Sequence, residues 1–181
     1  MIRPASSDAA AADSAPPAIA AFGGARTVHA TAVLVGETAI LIRGPSGSGK
    51  SRLALDLIGL ADSGRLRFAR LVGDDRVALV AAGGRLLAAP APALAGLIEA
   101  RGLGVLKLPY EPVAAIGLIV DLAAPDACRL PEPAAIRTEV LGVDLPRLPI
   151  SAGPIPLCLV ADVATSKYTL PPALRWPHLL R

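Results

Sequence analysis

The sequence predicts an α/β domain with a strand-rich, mixed sheet, and three observations lead to this prediction. A short apolar run at 38–43 is followed by apolar residues at helical spacing from Leu53 to Ala61. Two pairs of strand-like runs are separated by glycine-containing turns, at Gly36-Glu37 and at Gly83-Gly84, which is typical of antiparallel hairpins. The chain has 181 residues, of which 53% are hydrophobic, so it is long enough to bury one sizeable core.

The chain begins with an Ala/Ser/Pro-rich stretch, residues 1–25, which we expect to be a disordered tail before a single domain at 26–181. This stretch lacks the cationic start and apolar centre of a secretory signal. No apolar run reaches the ~18 residues that a membrane-spanning helix needs. The formal net charge of +3 comes from scattered arginines without basic runs, which argues against a nucleic-acid partner. Cys128 and Cys158 lack metal-ligand spacing, and we interpret them as buried or partly buried thiols in a reducing cytoplasm.

The elements of the domain follow from apolar periodicity and from turn residues. The run 28–35 and the run 38–43 form the first hairpin, and the helix that starts near Lys50 ends at Asp62-Ser63-Gly64. The run 70–73 is expected to be a strand that leads into two aspartates, and the runs 77–80 and 85–88 form the second hairpin. We expect a short helix at 92–100 and late strands at 113–122 and 157–163.

A phosphate-binding loop lies between the strand 38–43 and the helix that follows it. The segment Gly44-Pro45-Ser46-Gly47-Ser48-Gly49-Lys50-Ser51 satisfies the pattern G-x-x-x-x-G-K-[ST] in full. Glycines at such positions let successive backbone N–H groups point inward at a β-phosphate. Lys50 would then reach the β- and γ-phosphate oxygens, and the Ser51 hydroxyl would hold Mg²⁺. The sequence therefore predicts a nucleoside triphosphate site.

Acidic candidates for phosphate chemistry follow in two places. Asp74-Asp75 comes directly after the run 70–73, so one carboxylate could bind Mg²⁺ or its water shell while the other accepts a proton; alone, the pair could equally be a solvated turn. Glu99, expected at the end of a helix, is a second oxygen ligand for Mg²⁺, and Arg101 could offset phosphate charge. His29, in an otherwise apolar run, is by itself more typical of a hydrogen-bonded core histidine.

Taken in order, these residues resemble the carboxy-terminal catalytic domain of bacterial HPr kinase/phosphorylase, over about residues 26–163. That family carries a histidine fifteen residues before the first glycine of its loop, as His29 stands before Gly44. Its G-x-S-G-x-G-K-S loop, its Leu-x-x-Asp-Asp-Arg-Val segment and its Glu-x-Arg-Gly-Leu-Gly signature are matched at 44–51, at 71–77 and at 99–104.

The resemblance implies a P-loop kinase domain of the HPr kinase and PEP carboxykinase type. Its implied activity is ATP-dependent serine phosphorylation of an HPr-type phosphocarrier protein, which regulates the phosphotransferase system. By carry-over, Lys50 holds the transferring phosphates, Ser51 and Glu99 ligate Mg²⁺, and Asp75 accepts the serine proton. His29 is implied to lie beside the aspartate pair, with Asp74 in support and Arg101 near the phosphates. A cytoplasmic homo-oligomer is implied as well.

Departures from the family lead to further expectations. A short tail stands in place of the usual amino-terminal domain, and the chain stops soon after Tyr168. The family's Pro-Gly-Arg-Asn type segment, with its functional arginine, is replaced by Gly153-Pro154-Ile155-Pro156. We therefore expect a kinase with little phosphorylase activity. Two other functions stay open, namely a small P-loop kinase for a metabolite and a nucleotide-sensing regulator that binds ATP without turnover.

Overall fold

The chain is described here from a computed structural model, over residues 22, 23 and 25–165. Most of the expected tail and everything after residue 165 lie outside the described residues. In chain order, the strands and helices are β1 (Thr27–Val28), β2 (Thr31–Val35), β3 (Thr38–Arg43), α1 (Lys50–Asp62), β4 (Ala69–Gly73), β5 (Val77–Ala82), β6 (Arg85–Pro90), β7 (Leu97–Ala100), β8 (Gly104–Lys107), β9 (Ala114–Leu122), β10 (Arg137–Val140), β11 (Val143–Ile150) and α2 (Leu157–Ala164).

Strand β9 is the axis of the main sheet. One of its edges pairs with β3 in parallel. Its other edge is shared, because β6 pairs antiparallel with residues 114–116 and β11 pairs parallel with residues 119–122. The carboxyl ends of β3, β9 and β11 therefore meet at one edge of the sheet, which is where ligands bind in open α/β sheets.

Antiparallel hairpins complete the sheet on both sides of this parallel centre. Beyond β3 lie β2 and then β4, and beyond β6 lie β5 and then β1. Strand β10 pairs with β11, and β7 pairs with β8 in a separate two-stranded sheet. The prediction of a strand-rich, mixed α/β sheet is confirmed, as are both glycine-turn hairpins and the strand before the phosphate loop.

Two apolar cores lie on the two faces of the sheet. Side chains alternate between them along the central strands, as the pleat requires, so that Ile40 and Ile42 of β3 face one core and Leu41 faces the other. The first core is covered by α1 and α2, which contribute Leu53, Leu57 and Val160 among others. The second core is formed by the sheet itself, which curls so that β5 and β6 pack near β2 and β4. Among the described residues, no helix is long and apolar enough to cross a membrane.

For two segments, the predicted type of secondary structure is wrong. Residues 92–100 form a 3₁₀ turn at Pro92–Leu94 and then strand β7, not a helix, because Gly96 adopts a positive φ of 73° and breaks any helix there. Residues 157–163 lie in helix α2, not in a strand. A short apolar run does not distinguish a buried strand from a buried helix, and here packing against the core beside α1 decides.

Other expectations need smaller corrections. The run 28–35 is interrupted at His29-Ala30, between β1 and β2. Strands β10 and β11 were not expected, since Pro146 and Pro149 argue against a strand at 143–150. Both cysteines are exposed, which contradicts their interpretation as buried or partly buried thiols.

Candidate active site

The phosphate loop connects β3 to α1 and is shaped by glycines in conformations that other residues rarely adopt. Gly44, Gly47 and Gly49 have φ values of 147°, 77° and 96°. A Cβ on Gly44 would lie 2.7 Å from the backbone oxygen of Leu122, so this position has no room for a side chain. Gly49 directly precedes α1, and the amino-terminal end of that helix therefore opens onto the loop.

Lys50 is folded back over the loop at the start of α1. The residue is 6% exposed, and Nζ donates to the backbone oxygens of Gly44 and Pro45, both at 3.0 Å. Burial lowers the pKa of Lys50, although the nearby carboxylates of Asp74 and Asp75 partly oppose this shift. A phosphate would be a stronger acceptor than either carbonyl, because its hydrogen bonds to the ammonium are charge-assisted on both sides.

The loop residues fit a bound nucleotide phosphate. Ser48 Oγ is buried without a hydrogen-bond partner and packs close to Gly44, where a built Cβ would lie 2.8 Å from it. Ser46, Gly47, Gly49, Lys50 and Ser51 line a cavity of about 570 Å³, a volume typical of ligand sites. Gly44, Pro45 and Ser48 of the predicted loop do not line this cavity.

Asp74 is the centre of a hydrogen-bond network beneath this cavity. The residue is 4% exposed, and its carboxylate accepts hydrogen bonds from Thr31 Oγ1 at 2.6 Å, from Ser51 Oγ at 2.9 and 3.0 Å, and from the backbone N–H of Glu99 at 3.1 Å. These donors come from β2, α1 and β7, while Asp74 itself follows β4. The network therefore joins four elements at one buried carboxylate.

Asp75 has the opposite environment, although it is the next residue. Its φ is 62°, a left-handed conformation that turns the chain, and its side chain is 66% exposed. His29, whose side chain is 53% exposed, lies with Nε2 3.6 Å from Asp75 Oδ1. The structure thus places His29 at the cavity beside Asp75 and not in the core, contrary to the interpretation from its apolar neighbours.

Glu99 and Arg101 reach the cavity from the β7–β8 hairpin. In this hairpin Ile98 and Leu106 pack into the first core, so that Glu99 is left on the exposed face. Arg101 lies against the phosphate loop, because a Cβ on Gly47 would be 3.4 Å from its Nη2. Both residues line the same cavity as Lys50 and Ser51.

The predicted catalytic and metal-binding residues therefore converge on one cavity, although they come from four separate parts of the chain. It is lined by His29, Lys50, Ser51, Asp74, Asp75, Glu99 and Arg101, together with Arg52, Leu55, Ala100 and Leu103, which were not predicted. Thr31 was also missed. The signal that could have found it is a polar residue in the otherwise apolar strand β2, where its side chain is fully buried.

The oxygen atoms around Ser51 fit Mg²⁺. The hydroxyl of Ser51 and the carboxylates of Asp74 and Glu99 line one cavity, and hard oxygen ligands of this kind are those that Mg²⁺ prefers. In the described part of the chain, no group of three or more His, Cys, Asp or Glu residues forms a metal cage. Magnesium in nucleotide sites uses one or two protein ligands with phosphates and waters, so a cage is not needed.

Comparison with known proteins gives one consistent family. Residues 20–165 match the family model described as HPr Serine kinase C-terminal domain. The chain is 32% identical over 155 residues to the HPr kinase/phosphorylase of Geobacillus thermodenitrificans (strain NG80-2), covering 79% of this chain and 48% of that protein. It is also 32% identical over 157 residues to the HPr kinase/phosphorylase of Neisseria meningitidis serogroup C, covering 78% of this chain and 47% of that protein.

A solved structure supports the same fold. The Hpr(Ser) kinase/phosphatase from Coxiella burnetii superposes with a TM-score of 0.63 at 22% sequence identity, covering 78% of this chain and 90% of that one. The chain spans about half the length of the curated relatives it matches. The P-loop kinase fold of the HPr kinase type, expected from the sequence, is confirmed.

Proposed function

Because the chain belongs to the family of HPr serine kinase C-terminal domains, we propose that it is an ATP-dependent serine kinase that phosphorylates an HPr-type phosphocarrier protein. One observation carries this proposal. The exposed carboxylate of Asp75 lies in the same cavity as Lys50 and Ser51 of the phosphate loop, so that a base and a phosphate site face the same space. Phosphoryl transfer needs this arrangement, because catalysis is mainly positioning, charge stabilisation and a proton acceptor.

The phosphate loop and the hairpin hold the ATP phosphates in this proposal. Lys50 exchanges its hydrogen bonds to the Gly44 and Pro45 carbonyls for phosphate oxygens. The backbone N–H groups at the start of α1 donate to the β-phosphate. Arg101, which lies against Gly47, offsets the negative charge of the phosphates from the side of the hairpin.

Asp75 acts on the target serine. The serine hydroxyl oxygen forms a new bond to the γ-phosphorus while the bond from that phosphorus to the β–γ bridging oxygen breaks, and Asp75 takes the serine proton. The exposure of Asp75 supports this role, since a protein substrate must reach the base from solvent. His29, whose Nε2 lies 3.6 Å from Asp75 Oδ1, would orient that carboxylate.

Ser51 and Glu99 would hold Mg²⁺, and Asp74 would fix the orientation of Ser51. Bound there, the ion would neutralise part of the charge on the transferring phosphates. A hydroxyl can donate its proton to Asp74 and still offer a lone pair to a metal, so the hydrogen bonds seen for Ser51 are compatible with ligation.

The test uses the purified chain, Mg²⁺, γ-labelled ATP and the HPr-type protein of the same organism. We expect label on one serine of the carrier protein, located by mass spectrometry, and none on a carrier whose target serine is replaced by alanine. Transfer only to a small metabolite would replace the proposal with a metabolite kinase. Nucleotide binding without transfer to either acceptor would replace it with a nucleotide sensor.

The resemblance also supports two wider proposals. The activity would regulate the phosphotransferase system from the cytoplasm, and the chain would form a homo-oligomer. Large apolar side chains on the described surface, such as Leu103 at 79% exposure and Val105 at 67%, support a contact with a partner chain. Sedimentation of the purified protein tests the oligomer, and cell fractionation tests the location.

A further inference from the structure

We propose that Thr31 is a positioning residue, whose hydroxyl holds Asp74 in the orientation that presents Ser51 to a magnesium-bound nucleotide. Thr31 Oγ1 donates to Asp74 Oδ1 at 2.6 Å, which is the shortest of the hydrogen bonds to this carboxylate. Both side chains are buried, Thr31 at 0% exposure and Asp74 at 4%. The inference rests on the proposed function for its nucleotide, and concerns a residue outside the loop and the acidic pair.

Thr31 is suited to this role because the start of its strand is held on both sides. It is the first residue of β2, where it is the register partner of Ile42 on β3, and the next residue, Ala32, is the partner of Gly73 on β4. The hydroxyl therefore sits on the sheet directly beside the end of the strand that leads to Asp74. Its position does not depend on the phosphate loop.

The other donors to Asp74 belong to elements that meet the nucleotide. Ser51 is part of the phosphate loop, and Glu99 donates its backbone N–H from the hairpin that also carries Arg101. If those elements adjust when a nucleotide binds, Thr31 is the donor that keeps Asp74 in place. Ser51 and Glu99 both bond to the Oδ2 atom of Asp74, so rotation of this carboxylate would move the two proposed magnesium ligands relative to each other.

Loss of the Thr31 hydroxyl should therefore weaken the magnesium-dependent part of nucleotide binding. A buried carboxylate that loses a donor is less well satisfied, and hydrogen bonds to charged groups are among the stronger ones. Asp74 takes no part in the expected contacts of Lys50 and the loop N–H groups with phosphate. Binding of nucleotide without magnesium should consequently change little.

The experiment compares three variants of the whole chain by calorimetry, with ADP as ligand, in excess Mg²⁺ and again in EDTA. Thr31→Val keeps the side-chain shape and removes the hydroxyl, whereas Thr31→Ser keeps the hydroxyl. Thr38→Val makes the same chemical change at the start of β3, at the far end of that strand from the phosphate loop. Thermal unfolding of each variant shows whether its fold is retained.

We expect Thr31→Val to bind ADP about tenfold more weakly in Mg²⁺ and within about twofold of the parent in EDTA. Thr31→Ser should restore binding to within about threefold, and Thr38→Val should match the parent in both buffers. An equal loss in Mg²⁺ and EDTA, or no loss in either, would overturn the proposal. If Thr31→Val does not fold, Thr31→Ala, which also removes the hydroxyl, is measured in its place: a loss confined to Mg²⁺ supports the proposal, and an equal loss in both buffers, or none, overturns it. The assay contains no carrier protein, so its result is independent of whether the chain is a kinase.

Discussion

At the scale of single residues, one backbone turn places two neighbouring aspartates in different environments. Asp74 is buried and accepts hydrogen bonds from three residues, while Asp75, with a positive φ, is exposed toward the cavity. A carboxylate whose oxygens are already occupied is poorly placed to take a proton from a substrate. An exposed one beside a histidine is well placed to do so.

Asp75→Asn should retain binding of magnesium and nucleotide but lose phosphoryl transfer by ~10²–10⁴-fold, because an amide cannot accept the serine proton. The matched variant is Asp74→Asn, which should instead weaken magnesium-dependent nucleotide binding, since Asp74 contacts Ser51. Single-turnover transfer and calorimetry measure the two effects. If Asp74→Asn binds normally and is inactive while Asp75→Asn is active, the roles are reversed.

Lys50→Ala should weaken ADP binding by about tenfold or more, because it removes a charge-assisted contact to phosphate worth roughly 1.5–3 kcal/mol. The fold should persist, since the hydrogen bonds of Lys50 in the described residues go to the Gly44 and Pro45 carbonyls of the loop itself. Lys107→Ala, which removes the same charge from an exposed position on β8, is the control. Unchanged ADP affinity in Lys50→Ala would contradict the phosphate site.

At the scale of elements, the edge where the parallel strands end is held by an ion-pair network next to the loop. Arg43, the last residue of β3, donates from Nε and Nη2 to the two oxygens of Asp121, both at 2.7 Å. Arg147 of β11 donates to Asp121 Oδ2 at 2.6 Å and also binds Asp126. Because Arg43 directly precedes Gly44, this network fixes the direction in which the chain enters the phosphate loop.

The network makes stability depend on pH. Burial alone would raise the pKa of Asp121, but hydrogen bonds from Arg43 and Arg147 outweigh it and hold the pKa below its ordinary value. The pKa is thus lower in the folded chain than in the unfolded chain. The stabilisation is complete above the ordinary aspartate pKa of about 4, and it is lost as the pH falls through the lower folded value.

Asp121→Asn should lower the free energy of unfolding at pH 7 by roughly 3 kcal/mol, because it leaves two arginines without their shared carboxylate. The difference from the parent should shrink as urea titrations are taken from pH 5 to below pH 4. Asp56→Asn breaks the exposed pair with Arg52 on α1 and should cost less than about 0.5 kcal/mol. A gap between Asp121→Asn and the parent that stays constant with pH would show that the charge of Asp121 is not its source.

At the scale of the whole molecule, the fold brings a distant uncharged segment against the phosphate loop. The segment 153–156 precedes α2, and a Cβ on Gly49 would lie 3.1 Å from Cδ1 of Ile155. The family resembled by the sequence carries a functional arginine in this region, whereas Gly153-Pro154-Ile155-Pro156 has no charge. The cations described at the cavity, Lys50, Arg52 and Arg101, all lie at the loop, α1 or the hairpin.

We therefore predict that phosphorolysis of the phosphorylated carrier protein is at least about 10²-fold slower than the kinase reaction. Phosphorolysis brings a phosphate dianion against a phosphoserine dianion, and their repulsion must be offset by cations around both. The measurement incubates phosphoserine carrier protein with the chain, Mg²⁺ and millimolar phosphate, and quantifies pyrophosphate. The forward reaction on the same preparation is the control, and pyrophosphate release at a comparable rate would show that the arginine is not required.

How well the sequence predicts a feature depends on how far apart in the chain the residues that determine it lie. Consecutive residues encode the phosphate loop, the strand before it, the helix after it and the two glycine hairpins. Apolar periodicity and turn residues are therefore enough to predict these elements. The acidic pair and the hairpin signature were found as motifs. Their meeting in one cavity was an expectation from the family resemblance and from strand ends.

Only the tertiary structure decided which aspartate is buried, where His29 lies and which group Thr31 contacts. Thr31 and Asp74 are 43 residues apart, and their contact exists because β2 and β4 are neighbours in the sheet. The same holds for residues 157–163, where an apolar run suits a strand or a helix equally well and packing beside α1 selects the helix. Local sequence determines the conformation of short segments, whereas burial and long-range hydrogen bonds arise only when distant strands pair.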